Sequence, residues 1–129
     1  MPATDLTAAE VMAVYVDALN DPAQRGRLRE VLADDLVFEG PVFESYGLDA
    51  FLAAVEPWLA ALPVGTREVV EGEVPEHHRR FLARYSYVCG RRQVGAGFLV
   101  GERREDGLVT RLTGFLDDGS SLPDQRDLG

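Results

Sequence analysis

Past Pro63 the spacing of apolar residues changes from a helical repeat to alternation, and this change of period limits the fold more than any other feature of the chain. Before it, Leu48, Phe51, Leu52, Val55, Leu59 and Leu62 share one face of a long helix. After it, residues 67–73, 79–88, 93–103 and 108–116 read as strands, joined by turns at Cys89-Gly90 and Asp106-Gly107. Pro57 lies within the long helix. It removes a backbone donor and crowds the preceding turn, which predicts a kink near Glu56 or a break into two pieces.

Two further helices precede this one. Thr7-Ala8-Ala9-Glu10 has the form of a capping box, with Val11, Met12, Tyr15 and Leu19 at helical spacing behind it. Asn20-Asp21-Pro22 stops that helix and starts a second, whose apolar stripe is Leu28, Val31 and Leu32. Residues 36–39 form a short strand ended by Gly40-Pro41. Helices followed by an antiparallel meander predict an α+β fold with three helices packed on one side of a curved sheet. A chain of 129 residues has room for one core. Residues 1–117 are expected to form a single domain and 118–129 a polar tail.

Charge and composition narrow the function classes. Thirteen basic against 22 acidic residues leave a net charge of −9, a field that repels phosphate backbones and anionic membranes, so neither nucleic acid nor a membrane is expected as a partner. Every basic residue is arginine, which removes chemistry that needs a Schiff-base or phosphate-loop lysine. Cys89 is the only cysteine and no stretch reads as a signal or spanning segment, so a cytoplasmic location is expected. Adjacent residues of a strand point to opposite faces, so His77 and His78 are not expected to share a metal ion, and no metal or cofactor is predicted. Gly95-Ala96-Gly97 falls inside a strand and opens no helix, which defeats a dinucleotide reading.

Both faces of the predicted sheet carry apolar groups. Gly95, Gly97, Leu99 and Gly101 share one face of the third long strand, and this glycine-rich side is assigned to the helices, above a hollow. Phe81, Tyr85, Tyr87, Phe98 and Phe115 are grouped on the opposite side, which is expected to bury itself in a homodimer.

Residues 15–20 and 33–42, the Gly90-Arg91-Arg92 turn and residues 107–116 together resemble ketosteroid isomerase and the wider NTF2-like or SnoaL-like superfamily. The resemblance spans nearly the whole chain. It implies a cone of three helices over a curved sheet, a pocket at the wide end, and frequent dimers. In ketosteroid isomerase an aspartate is the base, and a tyrosine and a protonated aspartate hold the oxyanion. Tyr15 matches the tyrosine, whereas Gly40 stands at the base's position and Leu99 at that of the protonated acid. Tyr46-Gly47-Leu48-Asp49-Ala50 is similar to a segment of limonene epoxide hydrolase, but Ser86 and Gly114 stand where that enzyme's acids would be, with Arg84 kept. The catalytic acids of both relatives are therefore missing from their expected places.

The residues themselves predict a small-molecule pocket. Tyr15 is the candidate donor to a ligand oxygen, and Arg84, if turned towards the helices, needs an anionic ligand or a carboxylate such as Glu39 or Asp17. The expected lining adds Met12, Leu19, Phe38, Gly40 and Trp58, and from the sheet Leu82, Ser86, Gly97, Leu99, Leu112, Gly114 and Leu116. Two readings remain open. One is isomerase, cyclase or hydrolase chemistry on an oxygenated apolar compound, and the other is a noncatalytic binding or dimerisation domain.

Overall fold

Thr7 forms the predicted capping box: its Oγ1 accepts from the Glu10 N–H at 3.1 Å, and the Glu10 carboxylate accepts from the Thr7 N–H at 2.9 Å. Behind it α1 runs over Ala8–Asn20 and buries Val11, Met12, Tyr15 and Leu19. The computed structural model describes residues 2–117, so the predicted tail lies outside the described residues. Asp21 caps the next segment by accepting from the Ala23 N–H at 3.0 Å, but Pro22–Glu30 is a 3-10 helix, not an α-helix. Gly26 sits at its middle and Leu28 is its one buried anchor, so little favours the longer-range α pattern.

The strands are β1 (Leu32–Glu39), β2 (Glu44–Tyr46), β3 (Thr66–Glu71), β4 (Glu76–His77), β5 (Arg80–Cys89), β6 (Arg92–Arg103) and β7 (Val109–Leu116). The strand expected at 36–39 starts four residues earlier. Its burial follows no alternation through Leu32, Ala33, Asp34 and Asp35, because the register against β7 shifts between Leu32 and Val37. Helix α2 (Leu48–Ala61) continues through Pro57, so the predicted break does not occur. The carbonyl that Pro57 leaves without its amide belongs to exposed Ala53, where water can serve it.

The sheet order is β2-β1-β7-β6-β5-β3, with β4 paired to the start of β5. All pairs are antiparallel except β1 with β7, so the first long strand lies parallel to the last. A further irregularity beside Tyr87 makes Val94 an extra residue, and another separates Glu102 from Arg103. Such bulges bend a sheet over its helices. His77 and His78 do not alternate in one strand as expected. His78 and Arg79 form the β4–β5 turn with φ of 50° and 63°, and the two imidazole rings lie 4.0 Å apart.

Register overturns the predicted aromatic face. Tyr85 lies opposite Gly97, Phe81 opposite Gly101 and Tyr87 opposite Gly95, so the large rings of β5 and the glycines of β6 share the helix-covered side. The glycines make room for the rings: a Cβ on Gly101 would come within 2.1 Å of the Phe81 ring. Phe98 and Phe115 lie on the outer side, stacked at 4.8 Å, together with Leu82, Arg84 and Val100. The N-terminal segment is tied to this frame by Arg103, whose buried guanidinium donates to the carbonyls of Ala3, Leu6 and Gly107 and to the Glu76 carboxylate.

Gly97 supplies a direct test of this register. A Cβ there would lie 1.9 Å from the Phe115 carbonyl oxygen and 2.8 Å from the Tyr85 hydroxyl. Gly97→Ala is expected to destabilise the fold by about 2 kcal/mol or more, read from the urea midpoint; an unchanged midpoint would contradict the pairing.

Candidate ligand cavity

A small cavity lies between α1, α2, the end of β1 and the inner face of β3, β5, β6 and β7. Its volume is about 30 Å³, enough for one or two water molecules. Aromatic rings fill the rest of the expected hollow. Phe38 stacks on Phe43 at 4.8 Å and meets Phe51 at 5.0 Å. Trp58 stands nearly perpendicular to Tyr87, and Tyr87 to Tyr85, with ring centroids 5.3 and 5.5 Å apart.

Among the described residues the one acid in these walls is Glu68, on β3, only 4% exposed. Its backbone is clamped from α1. Asn20 Nδ2 donates to the Glu68 carbonyl and the Glu68 N–H donates to Asn20 Oδ1, both at 2.8 Å. The Tyr87 hydroxyl donates to the Glu68 carboxyl, whereas Oε2 has no partner among the described residues. Burial pushes the Glu68 carboxyl up to about 8, with the Tyr87 bond opposing the shift. It is therefore mostly a neutral acid at pH 7.

Tyr15 reaches the cavity from α1, and its phenol is held well above its ordinary value, first by burial and then by the Glu68 charge. Tyr85 and Tyr87 are raised for the same two reasons. Tyr85 also donates to the Phe115 carbonyl at 3.2 Å, which fixes its hydroxyl at the sheet. The arrangement offers a neutral carboxyl and a phenol in apolar surroundings, groups that donate to a ligand oxygen or exchange a proton with it.

The structure brings together only some of the residues expected here. Tyr15, Leu19, Phe38, Trp58, Leu99, Gly114 and Leu116 line the cavity. Met12 and Leu112 are buried in the core away from it, and Gly40 lies beside it in a tight turn whose N–H donates to the Phe43 carbonyl. Gly97 gives up its side-chain space to β7 and Tyr85.

Leu82, Arg84 and Ser86 point to the opposite face, because β5 presents its odd-numbered residues inwards. Arg84 is exposed there, and Ser86 donates to Glu71 at 2.7 Å. The proposed Arg84 partner Glu39 pairs with Arg111 instead. Sequence reasoning missed Glu68, Tyr85 and Tyr87 as lining. The parity of β5 was the missing fact, since the antiparallel register then puts Glu68 directly opposite Tyr87.

No protein-family model and no curated protein sequence matches the chain. Solved structures do. A putative isomerase of the SnoaL-like family from Agrobacterium tumefaciens superposes with a TM-score of 0.75 at 21% identity, covering 83% of this chain and 94% of that one. An NTF2-like protein of unknown function from Cytophaga hutchinsonii gives 0.68 at 17% identity, covering 88% and 92%. A putative polyketide cyclase from Sinorhizobium meliloti gives 0.62 at 22% identity, covering 89% and all 100% of that chain. With its helices laid over one face of a bent, mostly antiparallel sheet, the chain has the α+β NTF2-like cone fold.

Proposed function

We propose that the protein binds a small uncharged molecule whose oxygen-bearing end enters the cavity and meets Glu68 and Tyr15. The observation that carries this is Glu68 Oε2, a buried carboxyl oxygen without a protein partner in an apolar wall. Such a group costs stability unless something completes its hydrogen bonding. Neutral donors suit a carbonyl or hydroxyl oxygen, and among the described residues no basic side chain lines the cavity to attract an anion.

The same pair gives the reading its catalytic form. A phenol that polarises an oxygen, beside an acid able to exchange a proton near neutrality, supports isomerase, cyclase or hydrolase chemistry on an oxygenated apolar compound. The similar structures named as an isomerase and a polyketide cyclase agree with that class. The noncatalytic alternative is favoured by Gly40, Leu99 and Gly114, which leave the acid positions of the resembled enzymes without a carboxyl. Arg84 has no part in either reading.

For the homodimer expected from the sequence, the proposed interface is now the outer sheet face around Leu82, Phe98, Val100 and Phe115. Leu82, Val100 and Phe115 are 37%, 36% and 44% exposed. Arg84 and Glu71 lie opposite each other on the same face, so a second copy related by a two-fold axis brings both signs of charge to the contact. No helix among the described residues is long and apolar enough to cross a membrane.

Three outcomes are expected. In a thermal-shift panel of ketones, alcohols and their parent hydrocarbons, oxygen-bearing members raise Tm. Tyr15→Phe and Glu68→Leu each weaken the response about fivefold, the loss of one hydrogen bond. Equal responses to the hydrocarbons, or unchanged variants, would overturn the reading.

Stability should fall as pH rises from about 5 to 8, because the folded chain keeps the Glu68 proton that the unfolded chain releases near its ordinary value of 4.5. The slope from this group is at most about 1.4 kcal/mol per pH unit, and Glu68→Gln should remove it, as measured by urea unfolding across pH.

Light scattering at micromolar concentration should report a dimer that Phe115→Glu converts to monomer. A monomeric parent protein would refute the interface.

A further inference from the structure

The cavity is too small for any complete ligand of the proposed kind, and a second space adjoins it. A groove of about 330 Å³ runs between the C-terminal ends of α1 and α2 and the start of β3. Leu19, Glu68 and Tyr87 line both spaces, so these three side chains are the partition between them. Leu59, Ala60, Leu62 and Val64 supply apolar wall on the groove side.

The polar groups of the groove are occupied. Asn20 is used by the Glu68 backbone, and Arg25 donates to the Ala18 and Leu19 carbonyls and to Glu56 at the rim. Thr66 Oγ1 donates to the Pro63 carbonyl at 2.6 Å. The buried vacancy that remains is Oε2 of Glu68, at the partition. A molecule lying here thus finds one unpartnered buried oxygen at its inner end, and Leu59, Ala60, Leu62 and Val64 as its apolar wall, beside polar side chains that are already paired.

We infer that the groove is the outer compartment of the binding site and that the ligand is a linear, monofunctional molecule, its uncharged oxygen terminus at Glu68 and its hydrocarbon chain in the groove. This rests on the pocket reading above and adds the ligand's shape, its route of entry and the rejection of carboxylates. The combined space falls at the lower end of the range for small-molecule sites, about 300 Å³ and upwards. A carboxylate head would be desolvated in a cavity where none of the described residues supplies a cation, on a chain of net charge −9.

The test is a titration of the full chain with straight alkan-1-ols from ethanol to 1-decanol, and with octanoate, at pH 7. Trp58 is the only tryptophan and lines the inner cavity, so its fluorescence reads occupancy. Affinity should rise up to about fourfold per methylene, the value of burying one CH2, and level off once the groove is filled. Octanoate should bind at least tenfold more weakly than 1-octanol. Ala60→Phe, at an exposed helix position in the groove wall, should remove the gain of the longer alcohols and leave the shortest ones unchanged.

A flat chain-length series, octanoate binding as well as 1-octanol, or indifference of 1-octanol to Ala60→Phe would overturn the groove assignment. In each of those cases a short-alcohol response that Glu68→Leu weakens leaves the inner pocket standing. If Glu68→Leu alters the binding of no alcohol, the pocket reading itself falls.

Discussion

The pairing of ring against glycine across β5 and β6 is the constraint from which the rest of the molecule follows. Three large side chains, Phe81, Tyr85 and Tyr87, face the helices from one strand, and Gly101, Gly97 and Gly95 lie opposite them on the next. A β-carbon at Gly97 or Gly101 would overlap backbone or ring atoms, so this register admits no ordinary residue at either place. Once β5 is oriented in this way, antiparallel pairing puts Glu68 beside Tyr87 and turns Arg84 to the outside. The chemistry of the interior is thus a consequence of where the glycines stand.

Glu68 is expensive to bury, and the fold invests in holding it. Asn20, the last residue of α1, fixes its backbone with two hydrogen bonds of 2.8 Å, and Tyr87 fixes one end of its side chain. Arg25 locks the same helix end by donating to the Ala18 and Leu19 carbonyls, where the helix dipole favours a cation. The Asn20 clamp holds main-chain groups that any residue at this position would offer, so the carboxyl itself is held by the Tyr87 hydroxyl.

Much of the architecture was legible because it rests on local signals. The Thr7 capping box, the Asp21 cap and the four longer strands beyond Pro63 were each read close to their observed places, since caps, turns and alternation act over a few residues. The resemblance to the NTF2-like superfamily agreed with them. What failed was parity. Alternation divides Phe81–Val88 into two sets but does not say which set faces inwards, and both contain apolar residues. Leu82, Arg84 and Ser86 were therefore placed inside and Tyr85 and Tyr87 outside, a reversal that also hid Glu68. The 3-10 form of Pro22–Glu30 and the parallel β1–β7 pair were out of reach for a related reason, because both depend on distant partners.

The reversal changes what the missing acids of the resembled enzymes mean. Gly40, Leu99 and Gly114 lack carboxyls, and taken alone they point to a scaffold that has lost its chemistry. Leu99 and Gly114 nevertheless line the cavity, and the acid that reaches the same space comes from β3, which β5 separates from their strands in the sheet. A cone-shaped fold closes several strands around one interior, so an acid can be supplied from more than one of them while the aromatic walls stay in place. The acid's direction of approach also differs in consequence. Coming from β3, Glu68 stands with Leu19 and Tyr87 in the wall shared with the groove between α1 and α2, which is why the proposed ligand site takes in both spaces.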